Sequence, residues 1–481
     1  MYVKLFYRLL AICPFLVLSD TGSPNPLAGN TSFTGLSPSD VIERDVIVIG
    51  GGSSGTYSAV RLRDHGKSVI VVEKKGFLGG HAETWTDPLT NYTIDGGVVV
   101  FSPIKTVKDY FARFNVSLVP LPSVNFGQKY IDFGTGKLLD IQSVDPEALN
   151  GARHRYAAQL DRYPELQRSF DLTYPVHADL LLSFQDFALK YKVEDLVPQT
   201  FISNQGYAPI LDISMLYIFK YFNADQLLVY NTSYLTTARH NIRELYEKAA
   251  DFLSPDVLLN SEIISMERPY TNKQKVRVLV KTPQGIKLII AKKLLSTPPP
   301  LLTSLKGYDL SEWETGLFKR FFANGYYSAI LNNTGLNVSL WAADSARPFQ
   351  VPDLPGLYTM SPNQGFTQIY YGSPHILSED AVKADIVHKL RLAQQVQDFG
   401  NSTAQPEWLA FYNHAPFNLM VSNEDIRSGF YKRLFALQGE RNTFYNGAAW
   451  HTQDLSALWQ FTDDYVLPIL LEALDESCVP K

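Results

Sequence analysis

Three glycines near the start of the chain have the spacing of a nucleotide-binding turn. Gly50, Gly52 and Gly55 form a G-x-G-x-x-G pattern directly after the apolar, β-branched run 45–49. In such a turn the first glycine permits a tight bend and the second lets the backbone approach a pyrophosphate. The third lets the next helix pack close to the strand. These residue types therefore predict phosphate binding by backbone groups.

An acidic residue follows at the distance that a dinucleotide site requires. A predicted helix over 56–65 leads to a second strand over 68–72, which ends at Glu73. The N-terminal amides of that helix would face the phosphates, and we include Ser54, inside the turn, among the contacts. The Glu73 carboxylate would accept hydrogen bonds from both hydroxyls of an adenosine ribose and would repel a 2′-phosphate. Strand, turn, helix and acid together predict a Rossmann-type dinucleotide-binding unit.

Two further glycine pairs extend this pattern along the chain. Gly79, Gly80 and His81 follow the second strand, and Gly97 ends an Asp-Gly-Gly sequence that leads into the apolar run 98–101. Glycine pairs at these places let backbone lie flat against a long ligand. An NAD-binding domain does not need them, whereas an extended flavin dinucleotide must be lined along its whole length. We therefore predict that the cofactor is FAD and that these residues contact it.

The order of these motifs resembles the FAD-binding half of the flavin amine oxidase superfamily, which includes phytoene-type desaturases and prenylcysteine oxidases. Members usually have arginine after the first Gly-Gly, where this chain has His81. A titratable imidazole ring thus replaces a guanidinium group that is always positively charged. The Gly-Gly-His variant, the chain length and the N-terminal segment described below are similar to the β-cyclopiazonate dehydrogenase family of fungal secondary metabolism.

The resemblance implies further cofactor contacts in the second half of the chain. The backbone near Ile263 would hold the adenine edge, and the backbone at Gly447 would lie beside the pyrophosphate and ribityl chain. The next helix would begin at Asp454, Leu455 and Ser456 and point its N-terminus at the flavin O2. Its dipole would then stabilise negative charge on the N1–C2=O edge of reduced flavin.

The resemblance also implies the reaction. We expect two-electron oxidation of a hydrophobic small molecule, with cyclisation or double-bond migration as a coupled step, and reoxidation by O2 or another electron acceptor. His414, Trp450 and His451 are candidate catalytic residues near the expected flavin face, and a structural role for each histidine stays open. His81 is a candidate for pyrophosphate or flavin contact and for covalent attachment. We predict no metal site.

Three alternatives to this reaction stay open at this point. The first is a prenylcysteine oxidase-like enzyme, which is also secretory, glycosylated and FAD-bound. The second is a flavin-binding protein without turnover. The third is an isomerase that uses reduced FAD without net oxidation.

Chain length and composition are consistent with a large two-domain enzyme. The chain has 481 residues, of which 45% are hydrophobic and 13% aromatic, so it can bury an extensive core. Its 27 tyrosines and 28 phenylalanines suit a pocket for a flat or hydrophobic small molecule. The net charge of -5 and the lack of a dense basic run argue against nucleic acid as a partner.

The predicted fold is α/β with two domains: a Rossmann-type FAD-binding domain and an interleaved substrate domain of mixed sheet plus helices. We assign 44–139, 240–305 and 425–475 to the FAD-binding domain, and 140–239 with 306–424 to the substrate domain. The spacing of apolar residues predicts helices over 152–169, 178–191, 210–222, 235–252 and 379–396. Strands of the substrate sheet are predicted over 324–330, 357–360 and 366–371.

The N-terminal segment predicts entry into the secretory pathway. Residues 1–19 combine Lys4 and Arg8 with an apolar run over 9–18, as in a signal peptide. That run is shorter than the roughly 20 residues that span a bilayer, so we expect no transmembrane span; a membrane-anchoring tail or a buried helix is the alternative. Residues 20–43 would be a loose lead-in. Seven N-x-S/T sequons predict glycosylation, at Asn30, Asn91, Asn115, Asn231, Asn332, Asn337 and Asn401.

Overall fold

A computed structural model describes residues 36–121, 128–170, 172–207, 209–230, 232–271, 274–396 and 403–476. In chain order, the strands are β1 (Val41–Ile49), β2 (Val69–Val72), β3 (Thr84–Thr86), β4 (Thr93–Asp95), β5 (Leu118–Pro120), β6 (Lys129–Asp132), β7 (Lys137–Leu139), β8 (Leu235–Thr237), β9 (Val257–Leu258), β10 (Glu262–Glu267), β11 (Val276–Thr282), β12 (Gly285–Ser296), β13 (Phe322–Asn332), β14 (Leu340–Ala342), β15 (Gly356–Asn363), β16 (Phe366–Ser373), β17 (Glu407–Asn413), β18 (Phe417–Met420) and β19 (Thr443–Tyr445).

The α-helices are α1 (Ser53–Asp64), α2 (Lys105–Arg113), α3 (Pro146–Leu160), α4 (Phe184–Tyr191), α5 (Val197–Ser203), α6 (Met215–Tyr221), α7 (Ala224–Leu228), α8 (Arg243–Leu253), α9 (Glu312–Phe318), α10 (Glu379–Gln394), α11 (Asn423–Arg427), α12 (Phe430–Phe435), α13 (Leu455–Phe461) and α14 (Leu467–Glu476). A π-helical turn over Thr462–Val466 joins α13 to α14.

The first sheet carries the glycine-rich turn. Its strands follow the order β10-β11-β12-β1-β2-β9, with β19 paired to β12. β1 lies parallel to both β2 and β12, whereas β10, β11 and β12 form an antiparallel meander. Residues 46–49 and 69–72 are at most 5% exposed, as expected for parallel strands covered on both faces. The Rossmann-type unit predicted from the sequence is therefore confirmed.

The second sheet is built mainly from the later part of the chain. Its order is β17-β13-β16-β15-β14-β6-β7, with β18 paired to β13. All of its pairs are antiparallel except β14 with β6. β6 and β7 belong to this sheet although the sequence interpretation placed residues up to 139 in the FAD-binding half. The division into two domains stays a prediction, because the chain from Leu36 onward forms one compact unit.

The predicted helix over 235–252 is wrong in its first part. Residues 235–237 form strand β8, which pairs with β5, and helix α8 begins only at Arg243. The two threonines of β8 are β-branched and fully buried in this pairing, so they favour strand over helix. The other three predicted helices between 152 and 222 are shorter than expected, because each is interrupted by turns or 3₁₀ segments.

A buried ion cluster ties the meander to the elements that follow it. Arg268, just after β10, donates to both carboxylate oxygens of Glu314 on α9, at 2.6 and 3.0 Å, and to Asp309 at 2.6 Å. Arg441 donates to the same Asp309, and the Tyr445 hydroxyl donates to Glu314. The Arg268 side chain has no exposed surface. Each charge in the cluster thus depends on its partners for solvation.

Replacement of Arg268 by methionine should therefore destabilise the fold. The change leaves the buried Glu314 carboxylate with the longer contact to Arg441, at 3.8 Å, and removal of one partner of a buried pair costs about 3–5 kcal/mol. Urea unfolding followed by tryptophan fluorescence measures the loss. The control is Lys275→Met in the exposed Lys275–Glu43 pair, which should cost less than about 1 kcal/mol. Equal effects of the two substitutions would contradict the structural role of the cluster.

Candidate functional site

The glycine-rich turn is held by contacts within the protein itself. A Cβ atom at Gly55 would overlap the carbonyl oxygen of Gly50, and one at Gly50, where φ is +91°, would overlap the Thr297 hydroxyl. The Thr297 Oγ1 donates to the carbonyl oxygens of Ile49 and Gly50 at 2.9 and 3.0 Å. Gly50 and Gly55 are therefore required by the fold, whether or not a ligand is bound.

Gly52 is different, because no described residue requires glycine there on steric grounds. Its φ of -64° is ordinary for any residue. The nearest atom to a Cβ built at Gly52 is the Gly80 Cα, at 3.9 Å. Gly52 also pairs with Gly79 in an isolated parallel bridge, so the turn and the second glycine motif lie side by side. The absence of a side chain at Gly52 thus leaves room for a ligand that approaches the backbone closely.

Glu73 lies at the end of β2 and points back to the turn. It is 6% exposed, and its two carboxylate oxygens accept one hydrogen bond each, from the Gly51 and Lys75 amides, both at 2.6 Å. Each oxygen keeps a second lone pair for a further donor such as a ribose hydroxyl. The Ser261 amide donates to the Glu73 carbonyl at 2.9 Å, which brings the start of β10, with Ile263, close to this acid.

His81 and His414 meet beside the Asp-Gly-Gly motif. Their ring centroids are 5.1 Å apart, and a Cβ atom at Gly97 would overlap the His81 carbonyl oxygen. The His414 Nε2 lies 3.1 Å from the Ser328 hydroxyl, which itself donates to the Gly96 carbonyl. Because Ser328 uses its proton on Gly96, His414 must carry hydrogen on Nε2. The lone pair therefore resides on Nδ1.

Both imidazoles of this pair are held neutral. Burial lowers the pKa of His414 well below its ordinary value, with a smaller contribution from His81. The pKa of His81 falls to about 4 through burial and then the charges of Lys75 and Lys74. Among the described residues, the His414 Nδ1 has no hydrogen-bond partner. A neutral ring with a free lone pair can accept a proton.

Trp450 and His451 occupy a different environment. The Trp450 ring stacks on Tyr445 at 4.9 Å with an interplanar angle of 20° and is 1% exposed, as a core ring would be. The His451 Nε2 lies 3.2 Å from the Gln167 carbonyl oxygen. Burial and the charge of Lys220 lower its pKa well below the ordinary value. The structure brings His81 and His414 together, and their catalytic roles and those of Trp450 and His451 stay predictions.

The C-terminal segment closes the site from the other side. Gly447, with φ of +111°, lies beside the turn, since a Cβ built there would be 3.1 Å from the Thr297 carbonyl oxygen and 3.8 Å from the Ser54 hydroxyl. Asp454 caps α13 by accepting from the Ser456 amide at 2.8 Å. The Ser456 hydroxyl accepts from the Ser102 amide at 3.0 Å. The first and last cofactor motifs of the sequence thus meet in space.

The exposure pattern of these motifs fits an internal ligand cleft. Several predicted contacts keep an exposed face although neighbours in the chain are buried; they are Gly50, Gly52, Gly80, His81, Gly97, Asp454 and Leu455. Backbone amides, a carboxylate with spare lone pairs and a glycine with open space beside it are the groups that an extended FAD needs. The residues therefore fit this cofactor, and the individual contacts stay predictions.

Several residues that shape the site were missed in the sequence. Sequence analysis singled out neither Thr297 nor Ser328, which falls within the predicted strand 324–330, yet their hydroxyls support Gly50 and His414. It also did not single out Gln226, whose Nε2 donates to Asp454 at 2.6 Å. Each acts through a partner more than 80 residues away, and the sequence of one chain carries no signal for such pairs.

Gly52 has open space beside it whereas Gly55 is crowded by Gly50, so substitutions at these two positions test the cofactor cleft. Gly52→Val should lower the thermal unfolding midpoint of the apoprotein less than Gly55→Ala does but weaken FAD binding at least tenfold, because a Cβ there comes no closer than 3.9 Å to its described neighbours and would occupy the space proposed for the ligand. Gly55→Ala should lower the unfolding midpoint itself, because the new Cβ overlaps Gly50. Gly316→Ala is the control, since a Cβ there meets nothing within 4 Å. Unchanged FAD affinity in Gly52→Val would contradict the site.

Comparisons with known proteins agree with this geometry. Residues 48–114 match the model of the NAD(P)-binding Rossmann-like domain. The chain is 39% identical over 452 residues to the FAD-dependent oxidoreductase oblC of Cochliobolus heterostrophus, covering 90% of this chain and 92% of the relative. It is 33% identical over 439 residues to the beta-cyclopiazonate dehydrogenase of Aspergillus flavus, covering 89% and 94% of the two chains.

Solved structures show the same fold. A CLA-producing fatty acid isomerase from P. acnes superimposes with a TM-score of 0.71 at 18% identity, covering 88% of this chain and 98% of that one. Putrescine oxidase bound to putrescine gives a TM-score of 0.63 at 15% identity, covering 91% and 99%. These identities indicate likeness of fold alone, whereas the fungal relatives establish the family. The chain belongs to the family of FAD-dependent oxidoreductases that includes beta-cyclopiazonate dehydrogenase.

Proposed function

We propose that this FAD-dependent oxidoreductase removes two electrons from a hydrophobic small molecule of secondary metabolism, with His414 as the proton acceptor. The observation that carries the proposal is the neutral His414 ring, buried against Gly97 and His81 with its Nδ1 lone pair unused. FAD held at this site would supply the two-electron acceptor, and O2 or another acceptor would restore its oxidised form. Cyclisation or double-bond migration in the product would depend on the substrate.

The chain's own residues divide the work of holding the cofactor. In this proposal the amides at Gly52 and the start of α1 bind the pyrophosphate, and Glu73 binds the adenosine ribose. The backbone at Ile263 lies along the adenine edge. His81 and Gly97 line the path toward the flavin ring. Gly447 closes the turn from the C-terminal side.

A wall of tyrosines supports a hydrophobic, flat substrate. Tyr326 and Tyr370 lie on adjacent strands of the second sheet with their rings parallel within 3° and centroids 6.4 Å apart. The Tyr326 hydroxyl donates to Gln205 at 2.9 Å, and Gln368 donates to the Tyr370 hydroxyl at 3.3 Å. Both rings keep an exposed face. Such rings offer large apolar area with polar tips at fixed positions.

His414 lies next to this wall. Its ring centroid is 5.6 Å from that of Tyr326, and its backbone amide donates to the Tyr326 carbonyl at 3.0 Å. A substrate on the tyrosine wall would therefore have a proton acceptor at one edge. Because the pKa of His414 is depressed, its basic form persists across neutral and mildly acidic pH. This arrangement favours turnover over a purely structural flavin.

We also propose that the protein is made in the secretory pathway and glycosylated. Of the seven predicted sites, Asn91, Asn115 and Asn337 are exposed and Asn332 is half-buried. Asn91 lies close to the cofactor half of the sequence, and its side chain is accessible. Asn30, Asn231, Asn401 and the signal segment 1–19 lie outside the described residues. No helix within the described ranges is long and apolar enough to cross a membrane.

Substitution of the two histidines tests the proton acceptor. His414→Ala should slow flavin reduction by substrate under anaerobic conditions by about 100-fold, the lower range for loss of a general base. His451→Ala should change the rate only a few-fold, because that ring lies against Gln167 and Lys220. Stopped-flow absorbance of the flavin bands gives the rate constant. Wild-type rates in both variants would remove these histidines from the mechanism, and flavin that no candidate substrate bleaches would favour a binding protein without turnover.

A further inference from the structure

One carboxylate at the site has no cation to balance it. Asp454 accepts from Gln226 at 2.6 Å and from the Ser456 amide at 2.8 Å. Both donors are neutral, and no Lys or Arg of the described residues forms an ion pair with this acid or stabilises its charge. Buried carboxylates are ordinarily paired with a cation, because neutral donors replace only part of their hydration.

The position of Asp454 relates it to the cofactor cleft. It keeps an exposed face although the protein surrounds it deeply, so that face opens into the interior. The helical segment that it caps packs on the glycine-rich turn, since the Trp459 Nε1 donates to the Ser53 hydroxyl at 2.9 Å. Through Ser456 the same cap contacts Ser102, five residues after Gly97. Ser53 and Ser102 thus lie near the predicted FAD contacts Ser54 and Gly97.

The titratable groups around Asp454 carry no positive charge. Gln226 is itself fixed by the Tyr234 hydroxyl, which donates to its Oε1. Burial raises the pKa values of four nearby titratable groups, and the Asp454 charge adds to each shift: Asp225, Tyr207, Tyr221 and Tyr234. These groups are acids or neutral phenols. Burial likewise raises the pKa of Asp454, although its hydrogen bonds oppose the shift.

We infer that Asp454 takes up a proton when the flavin is reduced and thereby sets the reduction potential of the enzyme; this rests on the proposed FAD site. Oxidation of the substrate releases two electrons and two protons. Two electrons and one of these protons pass to the flavin, and the other proton leaves through the base. Asp454 binds one further proton from solvent, which neutralises its carboxylate, and releases it when the acceptor removes the electrons.

Electrostatics determines how flavin reduction changes the pKa of Asp454 and the pH dependence of the reduction potential. Negative charge arriving on the flavin raises the pKa of Asp454 further, because two like charges in a low-dielectric interior repel. Between the pKa values that apply to oxidised and reduced enzyme, reduction then consumes two protons instead of one. Each proton changes the equilibrium constant tenfold per pH unit, which is about 30 mV per pH unit for a two-electron couple. The wild-type potential should fall about twice that steeply in this range.

The test is spectroelectrochemical titration of the flavin-loaded full chain between mildly acidic and alkaline pH. Asp454→Asn keeps a good helix cap but cannot ionise. Its slope should drop to that of one proton, and its potential at alkaline pH should exceed that of wild type. Asp225→Asn is the matched control: it neutralises a neighbouring acid on α7, and the wild-type slope should remain. Equal slopes in wild type and Asp454→Asn would overturn the inference.

A second variant tests proton uptake by Asp454 if Asp454→Asn does not retain flavin. Gln226→Leu removes a donor to the ionised carboxylate without altering α13, so the pKa of Asp454 should rise. The pH at which the wild-type slope changes should therefore move upward, and an unmoved break would overturn the inference. A wild-type chain that shows no flavin absorbance after loading would overturn the FAD site itself, which is a distinct result.

Discussion

The structure depends on how closely backbone segments approach each other at one turn. The carbonyl oxygen of Gly50 occupies the place of a Cβ at Gly55, and the Thr297 hydroxyl occupies that at Gly50. This contact fixes α1 against β1 and joins the meander strand β12 to the turn. Gly447 then fits over the carbonyl oxygen of Thr297. Residues from three distant parts of the chain are placed in one site because the glycines at 50, 55 and 447 leave room for the neighbouring segments.

Burial of unpaired titratable groups is the second constraint. Close packing around the turn removes water from His414, and the low-dielectric surroundings keep its ring uncharged. The same desolvation acts on Asp454 and raises its pKa. A histidine that stays basic and an acid that resists ionisation suit a reaction in which electrons and protons move together. Neither property would survive at the protein surface.

Much of the cofactor half could be predicted from sequence, because its determinants are local. The turn, α1, β2 and Glu73 follow one another within 24 residues, and their glycine spacing has a direct steric reason. The helical region was less predictable. Leu235–Thr237 is a strand only because β5 lies beside it, and β6 and β7 join the second sheet through the distant β14. The partners Thr297, Ser328 and Gln226 could not be found, since their roles arise from tertiary contacts.

The most direct measurement is the visible absorbance spectrum of the purified full chain, before and after acid precipitation. We predict the two bands of an oxidised flavin in near-stoichiometric amount, because the chain belongs to an FAD-dependent family and the proposed contacts would line the whole dinucleotide. Colour that stays with the pellet would indicate covalent attachment and make His81 the first residue to substitute, whereas colour in the supernatant would indicate non-covalent binding. A protein that remains colourless even after addition of FAD would contradict the central claim.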